Sequence, residues 1–124
     1  MHAADAIHGD LGSIRPEDIV ICLSKSGNTP EIKVLVPLIK ARGNTLIALV
    51  GNTQSYLATK ADWILNSSVD KEACPLNLAP TTSTTLTIAI GDALASALMV
   101  QKNFTSADFG KRHPGGALGK ATNK

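Results

Sequence analysis

The feature that most limits how this chain can fold is an apolar run that leads directly into a polar loop and a helical pattern. Residues 18–23 read DIVICL, and SKSGNTPE follows them. A continuous run rich in β-branched residues is typical of a strand covered on both faces, as in parallel sheets. Thr29 and Pro30 then provide a helix start and Gly43 a stop, although Pro37 inside the helix predicts a kink or a lost hydrogen bond. This order predicts an α/β fold.

The same order recurs along the chain. TLIALV at 45–50 predicts a second strand, residues 56–60 a short helix, and DWILN at 62–66 a third strand. Alternating strands and helices predict parallel pairing with right-handed crossovers. Open α/β sheets usually have about four to six strands, so three strands are few.

Two further helices are predicted towards the C-terminus. Residues 81–102 are Ala-rich and predict a long buried helix, because apolar residues recur at four-residue spacing. These residues are Leu86, Ile90, Leu94 and Leu98. Thr105 and Asp108 predict a capping box for a short helix that HPGGALG ends, and the final KATNK is expected to fray. At the other terminus, IHGDLGSI is interpreted as a loop.

The composition argues against several classes of function. A net charge of +2 and 3% aromatic residues provide no basic surface with stacking rings, so nucleic-acid binding is not expected. The apolar stretches are interpreted as far shorter than the roughly 20 residues needed to span a bilayer, and the N-terminus lacks a signal-peptide pattern. The two cysteines, a buried Cys22 and a packed loop residue Cys74, form neither a disulfide framework nor a metal-binding spacing. A cytoplasmic protein without a metal or cofactor is expected.

Two hydroxyl-rich segments form the candidate ligand site. Ligands of open parallel sheets lie at the carboxyl ends of the strands, and SKSGNT is placed there. Its short polar side chains and its glycine, together with the N–H groups of the following helix, predict a phosphate cradle. The residues concerned are Ser24, Ser26, Gly27, Asn28 and Thr29. The ordinary alternative is that the hydroxyls only cap the helix.

The second segment, TTST, stands at the head of the long helix and offers the hydroxyls of Thr81, Thr82, Ser83 and Thr84, of which the last three are the predicted binding residues. A helix cap needs only one hydroxyl, so the surplus favours ligand binding.

Four residues are candidates for proton transfer: Glu31, Glu72, His8 and His113. Glu31 lies in a first helical turn, where an acidic residue is favoured for electrostatic reasons alone. Apolar surroundings in the loop DKEACPLNLAP are expected to raise the pKa of Glu72 towards the range of a general base, although a solvated glutamate is the ordinary alternative. Each histidine stands beside Gly or Pro in an irregular segment, where a surface position is the ordinary alternative.

Five motifs of the chain occur in a recognisable order: HGDLG, SKSGNTPEI, KEACPLNLAPTTSTT, GDALA and HPGGALG. Together they resemble the sugar isomerase (SIS) domain of bacterial arabinose 5-phosphate isomerases, over nearly the whole chain. The resemblance implies a three-layer αβα fold with about five parallel strands, assembled as a homotetramer. It also implies interconversion of D-arabinose 5-phosphate and D-ribulose 5-phosphate, for the synthesis of Kdo and lipopolysaccharide.

The resemblance further implies a role for each candidate residue. Glu72 matches a position suited to the base, Glu31 a polar partner that orients sugar hydroxyls, and His113 or His8 a group for ring opening and proton shuttling through a cis-enediol(ate). Ser24, Ser26, Thr29, Ser83 and Thr84 match the sugar-phosphate loops. Because the histidines lie near opposite ends of the chain, an active site shared between subunits is expected.

The chain departs from the family pattern at its beginning. A first helix and strand, a GxGKSG loop with its lysine, and a second strand are not found, and no CBS domains follow. An N-terminally truncated domain with about three of five strands is therefore expected, and its own activity is left open. Two alternatives remain: a non-catalytic SIS module that binds a sugar phosphate or nucleotide-activated Kdo, and an isomerase of another phosphosugar.

Overall fold

The computed structural model describes residues 1–113 and 115–122 of the chain. The strands are β1 (Ile19–Ser24), β2 (Thr45–Val50) and β3 (Trp63–Asn66). The helices are α1 (Ala3–Ile7), α2 (Pro30–Ala41), α3 (Tyr56–Lys60), α4 (Thr82–Gln101), α5 (Ser106–Arg112) and α6 (Gly116–Thr122). The predicted order of strands and helices from β1 to α5 is confirmed.

The three strands form one parallel sheet in the order β1-β2-β3. Cys22 lies beside Ala48, and Ala48 lies beside Ile64. Parallel pairing brings the carboxyl ends of all three strands to one edge, which confirms the predicted α/β class.

The chain divides into two compact units, Met1–Thr87 and Ile88–Lys124. In the first unit, the core lies between one face of the sheet and helices α1, α2 and α3. Leu46 and Val50 of β2 are fully buried there, and α2 contributes its predicted apolar stripe. That stripe consists of Ile32, Leu35, Val36 and Ile39. Pro37 lies inside α2 as predicted and has no N–H with which to close the preceding turn.

The opposite face of the sheet is much less covered within this unit. On β1, Ile19 is 63% exposed and Leu23 is 58% exposed. Burial on both faces was expected for β1, so this part of the interpretation is wrong for the described residues.

The N-terminal segment is more ordered than its sequence indicated. Residues interpreted as a loop include a 3₁₀ turn, Asp10–Ser13, and the short helix α1 precedes it. His2 Nδ1 accepts a hydrogen bond from the Ala4 N–H at 3.3 Å and caps this helix. Ala6 is buried in the core, so tertiary packing stabilises a helix too short to form alone.

Helix α4 has the predicted position but not the predicted burial. Ser83 is its one buried residue, and Leu98 is 42% exposed. The four-residue spacing identifies an apolar face, of which Leu86, Ile90 and Leu94 are half-buried rather than buried. The helix has 20 residues and a mean hydropathy of 1.5, so by length and composition it could cross a membrane, contrary to the expectation above. Core helices of soluble proteins meet the same two criteria.

The C-terminal part of the chain confirms one prediction and corrects another. Thr105 Oγ1 accepts from the Asp108 N–H at 3.2 Å while Asp108 Oδ2 accepts from the Thr105 N–H at 3.1 Å, which is the predicted capping box. HPGGALG follows the end of α5 but also begins α6, because its Ala and Leu favour a helix. Pro114 and residues 123–124, part of the segment expected to fray, lie outside the described residues.

The buried face of the sheet can be tested with one pair of matched substitutions. Leu46→Ala removes a fully buried side chain and is expected to lower the free energy of unfolding by about 2–5 kcal/mol. Leu76→Ala removes the same atoms from a 75% exposed position outside β1 and α4 and is expected to cost under about 1 kcal/mol. Urea unfolding measures both values, and equal losses would contradict the assignment of the core.

Candidate functional site

The loop between β1 and α2 is built by its own short side chains. Ser24 Oγ accepts a hydrogen bond from the Gly27 N–H at 3.1 Å, and Ser26 Oγ accepts from the Asn28 N–H at 3.3 Å. Thr29 is the N-cap residue of α2 but makes no side-chain capping bond. Its hydroxyl therefore remains available to a ligand, whereas the alternative of a purely capping role would have used it to cap the helix.

Gly27 and Asn28 fix this loop against α3. Gly27 has φ +64°, and a Cβ there would lie 2.1 Å from Ser55 Oγ, so no other residue fits. Asn28 Oδ1 accepts from the Tyr56 N–H at 2.9 Å, and Gly27 O accepts from the Leu57 N–H at 3.0 Å. Both residues shape the loop, and any direct contact of theirs with a ligand stays a prediction.

A cavity of about 460 Å³ opens at the carboxyl ends of the strands. The first loop lines it with Lys25 and the three hydroxyl residues Ser24, Ser26 and Thr29. Asn52 and Ser67, which follow β2 and β3, line it as well. The volume lies within the range of small-molecule sites. The structure thus brings together most of the first predicted cradle and adds a cation to it.

Glu72 occupies the N-terminus of α4. Its side chain is buried, and Oε2 accepts hydrogen bonds from the N–H groups of Thr81 (2.9 Å) and Ser83 (3.1 Å) and from the Thr81 hydroxyl (3.3 Å). Oε1 pairs with the ammonium of Lys25. The loop that carries Glu72 is held in turn by Asn77, whose Oδ1 accepts from the Glu72 N–H at 2.7 Å. A carboxylate thus compensates the free N–H groups that begin this helix.

These contacts reverse the predicted pKa of Glu72. Apolar surroundings were expected to raise it. Instead the Lys25 ammonium foremost, then the nearby Ser83 side chain and the N–H groups of Thr81 and Ser83, hold the pKa of Glu72 far below its usual range. Hydrogen bonds to the charged form outweigh the burial of the carboxyl group. The expectation of a raised pKa is therefore wrong, as is the alternative of a solvated side chain.

Among the hydroxyl residues at the head of α4, the structure distinguishes three situations. Ser83 Oγ is buried and has no hydrogen-bond partner among the described residues. Thr84 Oγ1 donates to Thr81 O at 2.8 Å, and Thr82 is half-buried at the start of the helix. Thr81, whose hydroxyl was identified with the others but was not predicted to bind the ligand, contacts Glu72 most extensively. It stands directly before the long helix, where cap residues are found.

The other two acid–base candidates of the first unit are placed differently. Glu31 is exposed in the first turn of α2 and lines a second cavity of about 850 Å³ along β1, α1 and α2. Thr29 lines both cavities. His8 is exposed at the C-terminus of α1 and lines neither of them.

His113 belongs to the second unit. It ends α5, and its ring stacks on Phe109 with centroids 4.1 Å apart. Nδ1 lies 3.3 Å from Phe109 O. Its predicted place in the active site stays a prediction.

The cysteines have different surroundings. Cys22 is buried as predicted, and burial raises the pKa of its thiol. The backbone N–H groups of Leu78, Ala79 and Leu76 lower the pKa of Cys74. Within residues 1–113 and 115–122, no three His, Cys, Asp or Glu side chains converge as metal ligands would.

Comparisons with known proteins place this arrangement in context. The SIS domain family matches residues 1–97. The chain is 56% identical over 120 residues to the arabinose 5-phosphate isomerase KdsD of Pseudomonas aeruginosa, covering 97% of the chain and 37% of the relative. It is 54% identical to the arabinose 5-phosphate isomerase KpsF of Escherichia coli, with 97% and 38% covered. A solved structure of the E. coli CFT073 protein c3406, in complex with arabinose 5-phosphate, superposes with a TM-score of 0.88 at 44% identity, over 92% of this chain and 61% of that one. The chain thus spans well under half the length of these curated relatives.

The ionised state of Glu72 predicts how stability depends on pH. A depressed pKa in the folded state gives a stabilisation that is complete above the pKa of an unfolded glutamate, 4.5, and is lost as the pH falls below it. The urea-unfolding midpoint at pH 7 is therefore expected to be higher for wild type than for Glu72→Gln. This difference should shrink below about pH 4.5.

The control for this comparison is Glu17→Gln, at an exposed position, which should change the free energy of unfolding by less than about 0.5 kcal/mol at pH 7. A difference between wild type and Glu72→Gln that stays constant down to pH 3 would show that the carboxylate charge is not what stabilises the helix.

Proposed function

Because the chain belongs to the SIS domain family, we propose that it binds a sugar phosphate at the carboxyl ends of its strands and interconverts D-arabinose 5-phosphate and D-ribulose 5-phosphate. The observation that carries the proposal is the buried, ionised Glu72 beside a cavity lined by hydroxyls and a lysine. The relatives named above, which bear the name arabinose 5-phosphate isomerase, support the choice of substrate.

The phosphate group is proposed to bind in the loop after β1. Ser24, Ser26 and Thr29 line the cavity with hydroxyls, and the N-terminus of α2 supplies partial positive charge. The sugar is proposed to reach the head of α4, where Thr82, Ser83 and Thr84 stand. The unpartnered, buried Ser83 Oγ supports this, since buried hydroxyls ordinarily have a hydrogen-bond partner.

The proposed reaction moves one carbon-bound proton. Glu72, ionised and therefore able to accept a proton, removes the C2 proton of the open-chain aldose and gives a cis-enediol(ate). Returning that proton to C1, while a proton passes from O2 to O1, completes the ketose. Glu31 is proposed to orient the hydroxyls, and His113 or His8 to open the ring and to move the proton between oxygens.

A second candidate is a module that binds a sugar phosphate, or nucleotide-activated Kdo, without catalysis. One observation favours it: both oxygens of Glu72 are already engaged, which weakens the carboxylate as a base. Binding would need the hydroxyl loops only. The two candidates therefore differ in proton transfer and not in binding.

The setting proposed for the isomerase is the synthesis of Kdo for lipopolysaccharide, in the cytoplasm, by a homotetramer. Apolar side chains that stay exposed on β1 and α4 support assembly, because a subunit interface would cover them. Sedimentation equilibrium is expected to give four times the chain mass of 12.9 kDa, and a monomer at all concentrations would contradict the proposed assembly.

Proton exchange tests the proposed chemistry directly. In deuterated water, the chain is expected to replace the C2 proton of arabinose 5-phosphate by deuterium, as followed by NMR. Glu72→Gln is expected to slow this exchange by about a hundredfold or more, because the amide cannot accept the proton. Calorimetry should still detect binding of the sugar phosphate to this variant.

Glu17→Gln, at an exposed position that lines neither cavity, serves as the control and should exchange like wild type. Binding without exchange in the wild type would favour the non-catalytic module. Undiminished exchange in a folded Glu72→Gln protein would exclude Glu72 as the base.

A further inference from the structure

Lys25 stands between the two halves of the candidate site. Its ammonium pairs with Glu72 Oε1, and the residue also lines the 460 Å³ cavity beside Ser24, Ser26 and Thr29. The Lys25 side chain is 54% exposed whereas the Glu72 side chain is 2% exposed. Of this pair, only the lysine has solvent around it and a long flexible stem with which to move.

The two oxygens of Glu72 are held in different ways. Oε2 is fixed by the N–H groups of Thr81 and Ser83 and by the Thr81 hydroxyl, all belonging to the start of α4. Oε1 is bound by Lys25, the one charged side chain in contact with the carboxylate among the described residues. Removal of the lysine would therefore release one oxygen without releasing the orientation of the carboxylate.

We propose that Lys25 exchanges partners: it pairs with Glu72 in the ligand-free protein and with the phosphate group of a bound sugar phosphate, which frees Glu72 Oε1 for proton transfer. A phosphate in the cavity carries more negative charge than one carboxylate oxygen, and it would lie among the hydroxyls that line the cavity with Lys25. The inference rests on the proposed function, because it assumes that the ligand carries a phosphate.

The exchange resolves the difficulty noted for Glu72 as a base. Without a ligand, Lys25 keeps the pKa of this carboxylate low, so Glu72 is a weak base and stays unprotonated. With the phosphate bound, Lys25 no longer contacts Glu72, so the main cause of its low pKa is absent. The N–H groups at the start of α4 still bind Oε2. Basicity would then rise only when a substrate is in place, and Lys25 would act as a positioning residue.

The experiment is a carboxyl titration by NMR of the whole chain labelled with ¹³C at glutamate Cδ. The Glu72 signal is assigned by its loss in Glu72→Gln. Sulfate is the anion probe, because phosphate esters gain a proton near pH 6 whereas sulfate keeps its two charges over the range in which ordinary carboxyl groups titrate. In wild type, saturating sulfate is expected to raise the titration midpoint of Glu72. In Lys25→Met without sulfate, the titration midpoint of Glu72 should already lie above that of wild type. Sulfate at matched saturation should raise it much less than in wild type.

Lys25→Arg is the matched control, since it keeps the positive charge and should respond to sulfate as wild type does. At pH 7, Lys25→Met is expected to bind arabinose 5-phosphate about tenfold or more weakly, as loss of a charged hydrogen bond implies. Lys25→Gln provides a second uncharged variant if Lys25→Met does not fold. Three results would each overturn the inference. The first is a sulfate-induced shift of the Glu72 midpoint that is equal in wild type and in the uncharged variants, and the second is no such shift in wild type. The third is an affinity of Lys25→Met for arabinose 5-phosphate equal to that of wild type. The titration does not depend on turnover, so a failure of the proposed isomerase activity would be seen separately in the proton-exchange assay.

Discussion

The carboxylate of Glu72 is the group on which the rest of the candidate site depends. It is buried, and burial of a charge is tolerated only when donors surround it. Those donors come from two separate places, the first turn of α4 and the loop after β1. One side chain thereby fixes the start of a 20-residue helix against the carboxyl end of a strand. Without it, the N–H groups of Thr81 and Ser83 at the helix start would lack an anionic partner, and Lys25 would lose the contact that joins it to this helix.

The parallel sheet supplies the geometry in which this contact is possible. Because all three strands run in one direction, the segments that follow them meet at the same edge. Gly27 lets the first of these segments approach Ser55 more closely than any side chain would allow. The hydroxyls of the loop are thus held at a rigid edge, with a cation among them and an anion behind it. Such an arrangement supports the proposed site for an anionic ligand over an ordinary set of helix caps.

The sequence predicted those parts of the structure that follow from local pattern. The strands, α2, α3 and the capping box of α5 were predictable because periodicity, Pro30 and the Thr105–Asp108 pair act over a few residues. The low pKa of Glu72 was not predictable, because its neighbours along the chain are apolar while its partners in space are Lys25, 47 positions away, and Thr81, 9 positions away. Burial of α4 was overestimated for a related reason: spacing identifies an apolar face but not what covers it. Lys25 was not predicted as a site residue, because the hydroxyls around it were enough to predict an anion site.

A crystal structure of this chain with arabinose 5-phosphate tests the account most directly. The account predicts the phosphate in the cavity at the end of β1, within hydrogen-bond distance of Ser24, Ser26, Thr29 and the Lys25 ammonium. It also predicts Glu72 Oε2 still bound to the N–H groups of Thr81 and Ser83, with Oε1 turned to the sugar. A phosphate bound elsewhere on the chain, or a Lys25 that still pairs with Glu72 beside a bound ligand, would contradict it.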